Sequence, residues 1–391
     1  MKFSPLVDRI AGDGADAWIT HYEAWAARDR GEDVILLSVG DPDLDTPAPV
    51  VAHAIERLRA GDTHYTPAAG RRPLREAIAA DHARRYGQPV GVDNVIVLSG
   101  AQNALFVSSL CVAGAGDEII ALDPMYATYP ATIEVGGARL VRSGSKPGSG
   151  FRPDLDALVR CITPRTRALM FASPNNPSGV ILNEEELSGI AELARRHDFW
   201  IIADQVYAGL ASNGRVPSLA AALPEQVVTV CSLSKSLSMP GWRVGWLVGP
   251  PPLVAHAEHL AMCMLFGLPG FIQDAALTAL SIAPQAERNV RDYCAHRRDL
   301  LRVGLAGIPG LKCHLPEAGM FMLVDVSGTG LSGEQFMRAL YGAEKVSVLD
   351  GGVFGRETAG VVRICFAAEE HTIQDACQRI RRFVTAHGVA P

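Results

Sequence analysis

A mostly parallel α/β sheet covered by helices, followed by a smaller α+β unit, is the fold class this sequence predicts, on three observations. Between about residues 70 and 250 short apolar, β-rich runs alternate with longer helical patterns, the signature of a sheet covered on both faces. Beyond about residue 285 that alternation stops. A chain of 391 residues is also too long for one simple core and suits two or three domains.

Taken in order, the predicted strands of the larger unit are NVIVL, EIIAL, ARLV, RALMFA, FWIIAD, QVVTV and VGWLVG. The connecting helices carry start signals. Asn183, with Glu186 three residues on, caps the helix EELSGIAELARRH and places acids in its first turn. A long arginine-rich helix is predicted over residues 286–305. It is followed by a strand (GMFMLVDV), a helix from Gly333, a single strand (KVSVLDG), another (GVVRICFA) and a final helix. In that last helix Ile373, Cys377, Ile380 and Val384 recur every three or four residues and give it one apolar face. SGSKPGSG, at 143–150, is the only linker-like stretch and reads as a loop or hairpin cap.

Composition narrows the function. The net charge is −6, and the 36 basic residues are spread along the chain, which does not suggest nucleic-acid binding. No apolar run has the length of a signal peptide or of a membrane span, so a cytoplasmic location is expected. Eight cysteines contain no Cys-x-x-Cys pair, and most lie in apolar segments, as reduced core residues do.

Of five lysines only Lys235 is placed unusually. It follows the buried strand VVTVC in SLSKSLSMPGWRVGW, with Ser232, Ser234 and Ser236 beside it and Arg243 eight residues on. A lysine desolvated at a strand end next to a fixed cation has its pKa lowered toward a nucleophilic amine. The alternative is an exposed lysine in a serine-rich turn. Asp204 ends the strand FWIIAD, where an open α/β sheet places ligands, and an acid there can keep a ring nitrogen protonated. It could equally cap the following turn. Tyr207 stands three residues later. After VIVLSG a helix begins near Ala101, and the free N–H groups of Ala101 and Gln102 make an anion site for a phosphate. SPNNPSG brings Asn176, DPMYATYP offers the ring of Tyr126 for stacking, and Arg363 lies between apolar neighbours in VVRICFA, where it requires a carboxylate partner. A structural salt bridge would satisfy Arg363 as well as a ligand.

Together these segments resemble the class I and II aminotransferases, fold type I of the pyridoxal-phosphate enzymes. LLSVGDPD, HYTPAAGRRPLREAIA, LSGAQNAL, DPMYATY, SPNNPSG, ADQVY, SLSKSLSMPGWRVGW and VRICFA occur in the family's order, from about residue 9 to the C-terminus. The resemblance implies pyridoxal 5′-phosphate as cofactor, held as a Schiff base by Lys235, which also moves the substrate proton. It implies Asp204 on the ring nitrogen, Tyr207 and Asn176 on the ring oxygen, and Tyr126 stacked on the ring. The phosphate would be cradled by Ala101, Gln102, Ser232 and Arg243, with Tyr65 reaching the site of a partner subunit in a homodimer. Arg363 would clamp the substrate α-carboxylate, and Gly40 would let the backbone approach it. The same resemblance divides the chain into an N-terminal segment (1–45) that joins the small domain and the substrate pocket, a large cofactor domain (46–284) and a small domain (285–391). Where the family commonly has ADEIY this chain has ADQVY, and little effect is expected from Gln205. Within the family, RIAGDGADAWITHY, LSLSKSLSMPGWRVGW and AMCMLFGLPGFIQDAA resemble the arginine–pyruvate transaminases. That points to Asp13 or Asp16 as partner for a substrate guanidinium, against the plainer reading of solvated surface acids.

Other readings fail or share the site. GTGLSG at 328–333 fits a dinucleotide-binding turn, but only 58 residues follow Gly333, too few for a doubly wound domain, and Ser332 with Gln335 reads as a capping box. His256 and His259 form a helical pair with no third metal ligand near in sequence, so no metal is expected. A regulator built on this fold would carry a helix-turn-helix domain ahead of it. β-Elimination or racemisation on the same cofactor would use the same residues, since the bond that breaks is the one perpendicular to the ring.

Overall fold

A computed structural model describes residues 1–11, 18–146, 148–212 and 214–386. Its centre is a seven-stranded sheet in the order Val95–Leu98, Gly245–Val248, Val227–Ser232, Trp200–Asp204, Thr166–Ala172, Glu118–Leu122, Arg139–Ser143. Gly245–Val248 alone runs antiparallel to its neighbours. The strands are apolar on both sides because both sides are covered. Ile96, Leu98, Ala121, Met170, Ile202 and Leu247 face a core shared with helices Gly100–Val112 and Pro251–Met264. Val95, Val97, Trp246 and Val248 face helices Ala48–Arg59, Arg72–Tyr86 and the start of Gly270–Leu305, while Ile120, Leu169, Phe171 and Ile201 face helix Glu184–His197. Each large apolar side chain buried in this way contributes about 1.5–3 kcal/mol.

Both predicted capping boxes form. Asn183 Oδ1 accepts from the Glu186 N–H at 2.9 Å while Glu186 accepts from the Asn183 N–H, and Ser332 and Gln335 do the same. The arginine-rich helix is longer than its sequence pattern suggested: it starts at Gly270 and continues through Pro284 to Leu305. Ala275, Ala276, Ala279 and Ala283 are buried along the added turns, and this packing carries the helix past a residue that would ordinarily end it.

The C-terminal part packs around a further core, which also takes in Ile35, Leu37, Val206, Tyr207 and Leu210. Leu349–Asp350, Val361–Cys365, Phe321–Asp325 and Lys312–His314 form an antiparallel sheet. Helices Gly333–Glu344 and Glu370–Ala386 and the second half of Gly270–Leu305 pack with it, burying Phe336, Leu301 and, as the spacing required, Ile373, Cys377, Ile380 and Val384. The segment read as one strand, KVSVLDG, is two. Val346–Ser347 pairs in parallel with Ile35–Leu36, and Leu349–Asp350 joins the four-stranded sheet. All eight cysteines are free; three are buried, and Cys263 is exposed rather than in the core. Among the described residues no helix is long and apolar enough to cross a membrane, and no group of three metal-ligating side chains forms.

Candidate active site at the strand ends

The sheet's topology brings distant residues to one edge. Gly100 follows Val95–Leu98, Tyr126 follows Glu118–Leu122, Asn176 follows Thr166–Ala172, Asp204 closes its strand and Lys235 follows Val227–Ser232. Arg243 precedes the reversed strand Gly245–Val248, so it arrives at the same edge. Ala101, Gln102, Tyr126, Asn176, Asp204, Tyr207, Ser232, Lys235 and Arg243 line one cavity of about 140 Å³, together with Leu105, Val206, Ser234 and Pro240. Carboxyl ends of parallel strands are where open α/β sheets put ligands.

Lys235 is not the exposed turn lysine of the alternative reading. Its Nζ donates to the Gly40 carbonyl at 2.5 Å, and burial lowers its pKa, with the Arg363 and Arg243 charges acting in the same direction. Gly40 has no room for a side chain: a Cβ would lie 2.3 Å from the Phe321 ring. Asp204 caps the turn that follows it and also lines the cavity. Oδ1 accepts the Val206 N–H at 3.1 Å, as a turn cap does, and Oδ2 accepts from the Tyr129 hydroxyl at 3.0 Å. Among the described residues no cation pairs with Asp204, and burial raises its pKa to about 6.

Arg363 is buried, and among the described residues no carboxylate pairs with it. Nη1 donates to Asn176 Oδ1 at 2.9 Å and Nη2 to the Ser38 carbonyl at 2.7 Å, whereas Nε has no partner among those residues. Its guanidinium lies between the rings of Phe321 (3.9 Å) and Phe354 (4.7 Å), and burial pulls its pKa down to about 10. Among the described residues, then, no salt bridge satisfies it. A buried charge with only neutral partners is costly, and an arriving carboxylate would relieve that cost.

At the other end of the cavity the 13-residue helix Gly100–Val112 presents its first N–H groups. Arg243 lies across that terminus with Nη1 on the Pro240 carbonyl at 2.9 Å. A Cβ on Gly100 would be 2.5 Å from Arg243 Nη2, and one on Gly245 would be 2.4 Å from the Gly100 carbonyl carbon. Gln102 spends its side chain on Thr128 and Thr132, so only its backbone is free for an anion.

Some of the expected residues lie elsewhere. Tyr65 is 89% exposed, packs on the Phe266 ring at 4.8 Å and does not line this cavity. Asp13 and Asp16 lie outside the described residues. Others went unnoticed in the sequence: Tyr129, the two phenylalanines around Arg363, and a chain in which His21 Nδ1 meets Ser38 Oγ at 2.8 Å and Ser347 donates to Ser38. Only Tyr129 left a usable trace, lying three residues after Tyr126 in the same short motif.

The donor set fits pyridoxal phosphate. One cavity is lined by an acid with no cation paired to it among the described residues, by a desolvated amine and by a helix terminus with an arginine, the groups that a basic ring nitrogen, an aldehyde and a phosphate dianion would require. Tyr126 and the apolar wall of Leu105 and Val206 suit a flat ring.

The class I and II aminotransferase family profile matches residues 32–380. Arginine–pyruvate transaminase AruH of Pseudomonas aeruginosa is 46% identical, over 97% of each chain. Aspartate/prephenate aminotransferase of Thermus thermophilus is 34% identical, over 92% of this chain and 93% of that protein. In three dimensions the chain is similar to the Thermus thermophilus aspartate aminotransferase solved with maleate, with a TM-score of 0.93, 32% identity and coverage of 98% of this chain and 100% of that one.

Proposed function

As the chain belongs to the class I and II aminotransferases, and is therefore a pyridoxal-phosphate-dependent transaminase of fold type I, we propose that arginine is its amino donor, that pyruvate is its acceptor and that the residues at the strand ends carry the reaction. The observation that bears most weight is the trio of Lys235, Asp204 and Arg363, which among the described residues have no opposite charge in contact: Lys235 and Asp204 line the cavity, and the buried Arg363 is bonded to Asn176, which lines it too. The 46% identity to an arginine–pyruvate transaminase supports the substrate pair.

Bound pyridoxal phosphate supplies an aldehyde that condenses with amines and a protonated ring that withdraws electrons from the substrate Cα. Everything else is the protein's own contribution. Lys235, with its pKa lowered by burial, is more readily unprotonated near neutral pH; it would be the amine that holds the cofactor and the base that takes and returns the substrate Cα proton. Asp204, as a carboxylate, holds the proton on the ring nitrogen. Tyr126 would stack on the ring, and Tyr207 and Asn176 would bind its oxygen. The N–H groups of Ala101 and Gln102, with Ser232 and Arg243, take the phosphate. Arg363 receives the α-carboxylate, and its contacts to Asn176 and Ser38 fix the guanidinium plane before substrate arrives. The small residue Gly40 lets backbone and substrate approach each other.

The rest of the proposal concerns assembly. Tyr65, exposed on this chain, reaches the phosphate of a partner subunit in a homodimer. The chain divides at about residues 45 and 284; in support, the core around the C-terminal sheet takes in Ile35 and Leu37 of the N-terminal segment, although Val206, Tyr207 and Leu210 of the large domain also join it. Asp13 or Asp16 meets the guanidinium of arginine. A donor screen against pyruvate, following interconversion of the two cofactor absorbances, tests the substrate pair. Arginine should react about tenfold or more faster than alanine at low concentration, as one added charged hydrogen bond implies. Equal rates, unchanged in Asp13→Asn/Asp16→Asn, would remove arginine from the proposal, and release of ammonia without an acceptor would replace transamination by elimination.

A further inference from the structure

Tyr129 is completely buried, and it sits in the first turn of a short helix, Tyr129–Glu134, just beyond the end of the strand Glu118–Leu122. Its ring meets that of Tyr126 edge-on, with centroids 5.9 Å apart and planes at 90°. Its hydroxyl donates to Asp204 Oδ2 at 3.0 Å, and no other hydrogen-bond partner of that hydroxyl is found among the described residues. The helix itself is fixed to Gly100–Val112, because Gln102 accepts from Thr128 and donates to Thr132. One phenol thus joins the acid at one end of the cavity to the aromatic face above it and, through two threonines, to the helix terminus at the other end.

We infer that Tyr129 is a positioning residue for the cofactor: its phenol keeps Asp204 ionised and correctly turned to hold the protonated ring nitrogen. This rests on the assignment of that nitrogen to Asp204. Among the described residues the carboxylate has two donors, the Val206 N–H on Oδ1 and the Tyr129 hydroxyl on Oδ2, and each oxygen keeps a lone pair for the ring. Both donors favour the charged form against the burial that opposes it. With the phenol removed only the backbone donor remains, the carboxyl takes up a proton more readily, and a neutral acid cannot balance a pyridinium. Tyr129 is itself held neutral by the same burial, so it donates throughout the working pH range.

The test uses the holoenzyme and three variants, Tyr129→Phe, Asp204→Asn and the double variant. The dissociation constant of pyridoxal phosphate and the ring-nitrogen resonance of the ¹⁵N-labelled cofactor are followed against pH. Tyr129→Phe should weaken cofactor binding about tenfold, the effect of losing a hydrogen bond to a charged group, and should make the ring nitrogen lose its proton at lower pH than in the parent. In the Asp204→Asn background the same substitution should change affinity less than about twofold, which a merely space-filling tyrosine would not show. Tyr129→His keeps a donor and should lie between parent and Phe variant, which secures the comparison if the Phe variant folds poorly. If Asp204→Asn weakens binding while Tyr129→Phe leaves affinity and ring protonation unchanged, the inference is overturned and the Asp204 assignment stands. If Asp204→Asn also changes neither, that assignment fails and takes the inference with it.

Discussion

Burial lifts the Asp204 carboxyl from its ordinary 3.8 to about 6, and proton linkage turns this into a pH-dependent cost to the cofactor-free protein. The sign follows from the raised value. Below about pH 4 both folded and unfolded chains are protonated at this residue and nothing is lost. As pH climbs through about 6 the folded chain must hold a buried carboxylate that the unfolded chain exposes to water, and about 3 kcal/mol is forfeited. Cofactor-free Asp204→Asn should therefore melt above the parent at pH 7.5 and converge with it near pH 4. Melting curves that coincide at pH 7.5, or a gap that grows toward acid, would contradict the assignment. At this scale the sequence was informative where chemistry is unusual in itself. Lys235, Asp204 and Arg363 announced themselves as ionisable groups bordering apolar strands. Tyr129, Phe321, Phe354, Ser38 and His21 did not, because each acts through a partner remote in sequence; Asp204 lies 75 residues beyond Tyr129.

Among the elements, the helix Gly100–Val112 and the reversed strand Gly245–Val248 depend on each other. Gly245 lies against the Gly100 carbonyl carbon and the Ala101 nitrogen, so a methyl group there, 2.4 Å from the former, must push the helix terminus away. Gly245→Ala should weaken pyridoxal-phosphate binding about tenfold or more while leaving the far-UV spectrum unchanged, since the displaced groups are those proposed to hold the phosphate. Equilibrium binding of the cofactor decides it, and unchanged affinity would place the phosphate elsewhere. Strands and caps were legible because periodicity and capping boxes are local signals. The helix through Pro284 and the division of KVSVLDG between two sheets were not. In both, tertiary packing overrode the local pattern: four buried alanines on one side, and two different pairing partners, Ile35–Leu36 and Val361–Cys365, on the other.

For the molecule as a whole, the sheet order explains why motifs scattered over more than 140 residues of sequence, from Gly100 to Arg243, converge, and the α/β alternation announced that class but not which strands neighbour one another. Tyr65 extends the same reasoning to assembly. Exposed on one chain and outside the cavity, Tyr65 would matter to the site only in the proposed dimer with shared sites. Sedimentation should give a dimer, and Tyr65→Phe should weaken cofactor retention about tenfold with the dimer intact. A monomer of full activity would exclude the shared site.

The covalent role of Lys235 is tested most directly by incubating the protein with pyridoxal phosphate, reducing with borohydride and locating the adduct by peptide mass spectrometry. Of the five lysines, 2, 146, 235, 312 and 345, only Lys235 should be labelled, and Lys235→Ala should carry no label. An unlabelled Lys235, or a label confined to the other four, would contradict the account.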